Sequence, residues 1–155
     1  MRSACIVSGM AGSLVLTLFH QLLKANVADA PRMDKLGRQA LKKMLIATGC
    51  DVPRKANLQK ITLVGDLVGN AAYYSLVGVK PASALTTGAV LGLAAGIGAV
   101  VLPGELGLNP TYSNATTKTQ VLTIVLYLTG GLVAGAVQQI LSRKKRIQGT
   151  VQSTQ

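Results

Sequence analysis

Four stretches of 19 to 21 residues, 3–23, 61–79, 84–102 and 121–141, carry a single formal charge between them, Asp66, if His20 is neutral. All 16 Lys and Arg residues lie outside these stretches. A helix of the longer stretches measures about 31 Å at about 1.5 Å per residue. That is the thickness of a bilayer's hydrocarbon core, about 30 Å. A water-facing helix of that length needs a polar face, and none exists between Cys5 and Phe19. Lys80-Pro81 is expected to end the second stretch, because a residue before proline avoids the α region. Pro103-Gly104 is expected to stop the third, and Ser142 with the basic run Arg143, Lys144, Lys145 and Arg146 closes the fourth. Alternation of apolar spans and basic flanks is the pattern of a membrane protein.

Composition agrees and removes other classes. Of 155 residues, 49% are hydrophobic and 14% charged, against about 25% charged in an average soluble protein. Disorder, collagen and coiled coil are excluded. So is a disulfide scaffold, since the only cysteines are Cys5 and Cys50. A net charge of +11 would suggest nucleic acid in a soluble chain. Here nine basic residues cluster between Lys24 and Lys60 and four in Arg143–Arg146, so no nucleic-acid partner is expected. The spans take about half the chain, which leaves no room for a soluble catalytic domain.

Between the first two spans, Met33, Leu36, Ala40, Leu41, Met44, Leu45 and Thr48 recur at helical spacing, with Arg38, Lys42 and Lys43 off that stripe. Pro31 suits the first turn and Gly49 the stop. This spacing predicts a basic amphipathic helix over 31–48, lying among lipid headgroups or across the ends of its own bundle. The expected fold is therefore all-α: a polytopic membrane protein, a bundle of four transmembrane helices with one extra amphipathic helix between spans one and two. Residues 1–146 form one membrane-embedded domain, and 147–155 a flexible polar tail. A cleaved signal peptide is the rival reading of the first span, with Arg2 before it and Ala28-Asp29-Ala30 as the cleavage site. Pro31 directly after the cut and the long apolar run count against it. Asn114-Ala115-Thr116 matches a glycosylation sequon, a short pattern that arises often by chance.

Orientation is contested. With four crossings, ten basic residues fall on the side of the first loop and six on the side of the termini. The positive-inside rule favours a cytoplasmic first loop, in a bacterial inner membrane, and the C-terminal basic cluster votes against it.

Small residues at four-residue spacing let helix backbones approach in lipid, where burial alone drives no pairing. Gly12 follows Ala4 and Ser8 at that spacing in the first span. Gly65 and Gly69 lie in the second, Gly88, Gly92 and Gly96 in the third, Gly131 and Gly135 in the fourth. These faces are expected to pack the bundle, or to pack it against a second copy or a larger membrane complex. The second polar feature is Asp66, which costs about 2.5–3.5 kcal/mol to place in a bilayer by insertion scales and so faces inward. Asn70, Tyr73 and Tyr74 follow on roughly the same face. His20 approaches the same membrane surface from the first span, so a His20–Asp66 pair able to relay a proton is geometrically allowed. Lys24 is an alternative partner for Asp66. A purely structural polar contact that fixes helix register is the simpler expectation for these groups.

No phosphate-binding loop is present. One histidine and two distant cysteines build no ordinary zinc site, so neither metal nor cofactor is expected. The leading expectation is a non-enzymatic structural or accessory membrane subunit that packs through its small-residue faces into an oligomer or larger complex. A second is a proton- or ion-coupled transporter or channel subunit using Asp66 and His20, with Asn70, Tyr73 and Tyr74 along the path. A third is binding of anionic lipids through Arg38, Lys42 and Lys43.

Overall fold

The computed structural model describes the backbone of residues 2–152 and the side chains of residues 3–144. The side chains of Lys145 and Arg146, and residues 153–155 of the expected tail, lie outside the described residues. Every regular element among the described residues is helical: α1 (Arg2–Asn26), α2 (Met33–Ala47), α3 (Lys55–Tyr74), α4 (Ala84–Glu105), the single turn α5 (Thr111–Asn114) and α6 (Thr117–Gln152). Short 3-10 turns at Ser75–Gly78 and Pro81–Ser83 join α3 to α4.

Three segments are long and apolar enough to cross a membrane: Ser3–Asn26, Pro81–Glu105 and Thr117–Lys144. The second expected span does not reach that standard. α3 starts at Lys55 and ends at Tyr74, so it takes in Lys55, Lys60, Asp66 and Asn70. The other boundaries move for local reasons. α2 begins at Met33, two residues beyond Pro31. α4 runs through Pro103 to Glu105. What stops it is Gly107, at φ +64°, a left-handed residue that glycine adopts without a Cβ clash. The Leu108 N–H then reaches the Pro103 carbonyl at 2.8 Å and Gly107 N–H the Gly104 carbonyl at 2.9 Å, the paired bonds of a Schellman end. Gly49, at φ +72°, ends α2 in the same way. α6 continues to Gln152, past the expected end of the fourth span at Leu141 and through the first residues of the expected tail.

The long helices follow one another as α3–α1–α6–α4, with α6 packed on both α4 and α1. The α4–α6 seam is built of backbone. Gly88 and Gly131 each face the other's carbonyl oxygen. A Cβ on Gly92 would lie 2.7 Å from Leu128 Cα, one on Gly96 2.8 Å from Ile124 Cα, and one on Gly135 2.6 Å from the Ala84 oxygen. On α1, Gly12 meets the Gly130 oxygen, 2.5 Å from where its Cβ would stand. Ser8 donates to Gln138 Oε1 at 2.9 Å, a polar clamp between α1 and α6. α3 runs antiparallel along α1: Ser13 donates to the Leu67 carbonyl at 2.7 Å, Gly9 abuts Ala71 and Ser75, and Gly78 abuts Cys5.

At the centre Leu16, Tyr74, Val77, Leu126 and Ala134 form the buried apolar cluster. The Tyr74 hydroxyl donates to the Tyr127 carbonyl at 2.7 Å. Tyr74→Phe removes one buried hydrogen bond of about 1 kcal/mol from an acceptor that keeps its helical partner. The expected result is a slightly lower unfolding midpoint in detergent with unchanged helix content.

The molecule's outer surface is apolar. Ile6, Met10, Leu14, Leu18 and Leu22 are exposed in a row along α1, as are Val90, Leu93, Ile97 and Val101 on α4. Ser8, Ser13, Thr62, Thr123 and Gln138 are buried instead. Large exposed apolar patches are unusual on a protein bathed in water. Buried hydroxyls and outward leucines are compatible with a membrane location.

A candidate functional cavity between helices α3 and α4

α3 and α4 hardly touch, and among the described residues a hydrogen bond from the Tyr73 hydroxyl to the Leu91 carbonyl, 3.0 Å, joins them. On the α2 side of that bond a partly open cavity of about 540 Å³ separates them. Its polar lining comes from α1, α2 and α3, and includes His20, Lys24, Asp34, Thr62, Asp66, Asn70 and Tyr73. Ala94, Ala95, Gly98, Ala99 and Leu102 of α4 form an apolar wall.

α2 closes one end of the cavity. Gly37 lies against α3 so closely that a Cβ there would be 3.2 Å from both carboxylate oxygens of Asp66. Further along α2, Lys43 Nζ donates to the Leu106 carbonyl at the end of α4, and the Gln39 side-chain oxygen accepts from Asn109 N–H at 2.9 Å. Asp34 anchors the other end, with Lys24 Nζ and an Arg38 nitrogen at 3.7 Å and Arg32 Nε at 3.8 Å. Asp34 thus has the i,i+4 partner its spacing implies, Arg38.

The expected site residues divide sharply. His20, Asp66, Asn70 and Tyr73 share the cavity. His20 and Asp66 do not pair. His20 Nε2 lies 3.0 Å from the Pro31 carbonyl, and since a carbonyl only accepts, that nitrogen carries the proton. Lys24, the alternative partner of Asp66, is held by Asp34. Asp66 therefore makes no hydrogen bond or ion pair among the described residues, and neither does Asn70. Tyr74 is corrected: it lies in the buried core rather than on the cavity. Adjacent residues on a helix point about 100° apart, and here Tyr73 turns toward the cavity while Tyr74 turns into the core.

Of the small residues, Gly12, Gly88, Gly92, Gly96, Gly131 and Gly135 meet backbone of a neighbouring helix within the chain. Gly65 and Gly69 meet nothing within 4 Å. They share an outward face with Ile61, Val64 and Val68, the last 62% exposed. Gly9, Gly37, Gly78 and Gly130, which no regular spacing marks, also make close contacts. Of the three cations expected to meet lipid headgroups or a partner, Arg38 bonds Asp34 and Lys43 bonds Leu106, while Lys42 is exposed.

The described residues form an all-helical protein with three apolar helices long enough to cross a membrane and a largely apolar cavity that holds a few polar groups. No family model, no curated protein and no solved structure matches the chain.

Proposed function

We propose that the chain is a four-span membrane protein that binds and passes a cation, as a transport or channel subunit, with Asp66 as the charge-bearing group. The observation that carries this reading is a carboxylate without a partner inside a cavity of about 540 Å³. An acid in that position is costly and in membrane proteins typically marks an ion or substrate path. The four-span count draws support from geometry. α3 and its 3-10 extension run beside α1 from Ser13 and Leu67 to Cys5 and Gly78. The polar groups that lower the hydropathy of α3 in this stretch, Asp66 and Asn70, face the cavity, while Val64 and Val68 face outward. We take the α2 side as cytoplasmic, in a bacterial inner membrane, because nine basic residues lie between Lys24 and Lys60.

The purely structural reading loses support because six of its eight glycines are spent on contacts within one chain. It keeps one specific observation: the open face of Gly65 and Gly69 on α3, suited to a second copy or a membrane partner. The anionic-lipid reading keeps Lys42 with the exposed Met44 and Ile46, 59% and 60% exposed.

Reconstitution into liposomes tests the proposal. Proton or alkali-cation flux is expected in the unaltered protein, and at least a tenfold lower flux in Asp66→Asn. Absence of flux in both, or equal flux in both, defeats it.

A further inference from the structure

The cavity is far larger than a proton or a bare metal ion requires. At about 540 Å³ it falls within the range of small-organic-molecule sites, roughly 300–1,000 Å³. We propose that its ligand is a hydrophobic organic monocation, which reaches Asp66 sideways from the bilayer between α3 and α4. This rests on the reading of Asp66 as the working group, and adds the class of ligand and its route.

Three features fix the class. The lining has two characters: the α4 side is wholly apolar, and the polar groups named above stand on α1, α2 and α3 among apolar neighbours. A solute matching both has one polar centre and an apolar body. The sign follows from the groups left unpaired. Lys24, Arg32 and Arg38 surround Asp34, which leaves Asp66 as the charged group without an ion-pair partner in the lining. The side chains of Tyr73 and Tyr127 complete the lining beside it. A carboxylate with aromatic rings nearby is the combination that receives organic ammonium groups.

The route follows from packing. α2 covers one end, bonded through Lys43 and Gln39 to the α4 side and pressed by Gly37 onto Asp66. Toward the lipid there is no such cover. Leu63 of α3 and Leu102 of α4 both line the cavity, and both are about half exposed on the molecular surface, 47% and 52%. They are the two lips of the lateral gap, and both are apolar. A lipophilic cation dissolved in the bilayer passes between them without shedding a hydration shell.

The test uses the full chain in phosphatidylcholine nanodiscs, with tetraphenylphosphonium and tetraphenylborate as probes of like shape and opposite charge. Empty nanodiscs give the partitioning background. Saturable binding of tetraphenylphosphonium, one per chain, is expected, and none of tetraphenylborate. Asp66→Asn is expected to weaken binding at least tenfold. Leu63→Trp combined with Leu102→Trp is expected to slow association at least fivefold. Size-exclusion profile and helix content confirm that each variant folds. Were Asp66→Asn not to fold, the charge preference of the unaltered protein and the lip variant still decide the matter. No saturable phosphonium binding, equal binding by Asp66→Asn, or saturable borate binding overturns the ligand class. An unchanged association rate in the lip variant overturns the lateral route. Asp66-dependent flux of small cations without phosphonium binding sinks this inference and leaves the transport reading standing. Asp66-dependent phosphonium binding without any flux does the reverse.

Discussion

Gly131→Val is expected to lower the stability of the bundle by about 3 kcal/mol or more, at the upper end of overpacking costs. The new Cβ runs into the Gly88 carbonyl oxygen and stands 3.0 Å from both Gly92 Cα and Gly92 N. Every one of these atoms is backbone, so no side chain can rotate out of the way. α4 must move off α6 as a body, which opens the contacts of Gly92 with Leu128 and of Gly96 with Ile124. In lipid those close contacts are the attraction itself, because no hydrophobic term replaces them. Gly65→Ala is the matched control. Nothing lies within 4 Å of Gly65, and alanine in a helix interior gains roughly 0.5–1 kcal/mol over glycine. Unfolding followed by circular dichroism in a denaturing-detergent titration reads both. Similar shifts in the two variants contradict the packing described above.

Asp34→Ala is expected to cost about 2 kcal/mol and to loosen α2 from the bundle. Three cations stand 3.7 to 3.8 Å from this carboxylate. Without it they face each other with nothing to balance them. Removing one partner of a fully buried pair costs about 3–5 kcal/mol, and an exposed pair is worth about 0–1 kcal/mol. Asp34, with 21% of its side chain exposed, falls between these. If charge is the cause, Asp34→Asn destabilises nearly as much as Asp34→Ala, because the amide keeps the shape and loses the sign. Salt screens the repulsion left behind, so the deficit shrinks as ionic strength rises. Limited trypsin digestion gives a second readout, with faster cleavage between Lys24 and Lys43 as α2 detaches. A deficit indifferent to salt and absent in the asparagine variant would falsify this account of the cluster.

The long helices were legible because hydrocarbon-length runs without charge have few alternatives. Their ends were not. Pro103 looks like a stop, yet α4 continues past it until Gly107 turns left-handed, and the choice depends on which carbonyls need partners. The four-residue glycine spacing marks a narrow helix face, but not what lies on it. Gly88 and Gly92 have that spacing and meet α6, while Gly65 and Gly69 have it and meet nothing. Asp66 stood out as an acid among apolar residues, and Asn70 and Tyr73 followed from helical phase. The partner of His20, the Pro31 carbonyl, was not legible, because backbone acceptors in loops leave no trace in side-chain patterns. The cavity itself was invisible for a related reason. It exists because α3 and α4 stay apart, and separation between two helices is set by what the other helices hold in place.

α6 stands between α1 and α4, which have little direct contact with each other, and it follows both in the chain. During synthesis α1 and α3 can already pair, through Ser13 and Gly9, while α4 has little to pack against. Only when this final hairpin partner is inserted can the bundle lock. The docking of α4 is then late, and a ribosome that stalls before about residue 117 leaves Gly12, Gly88, Gly92 and Gly96 without the backbone they face.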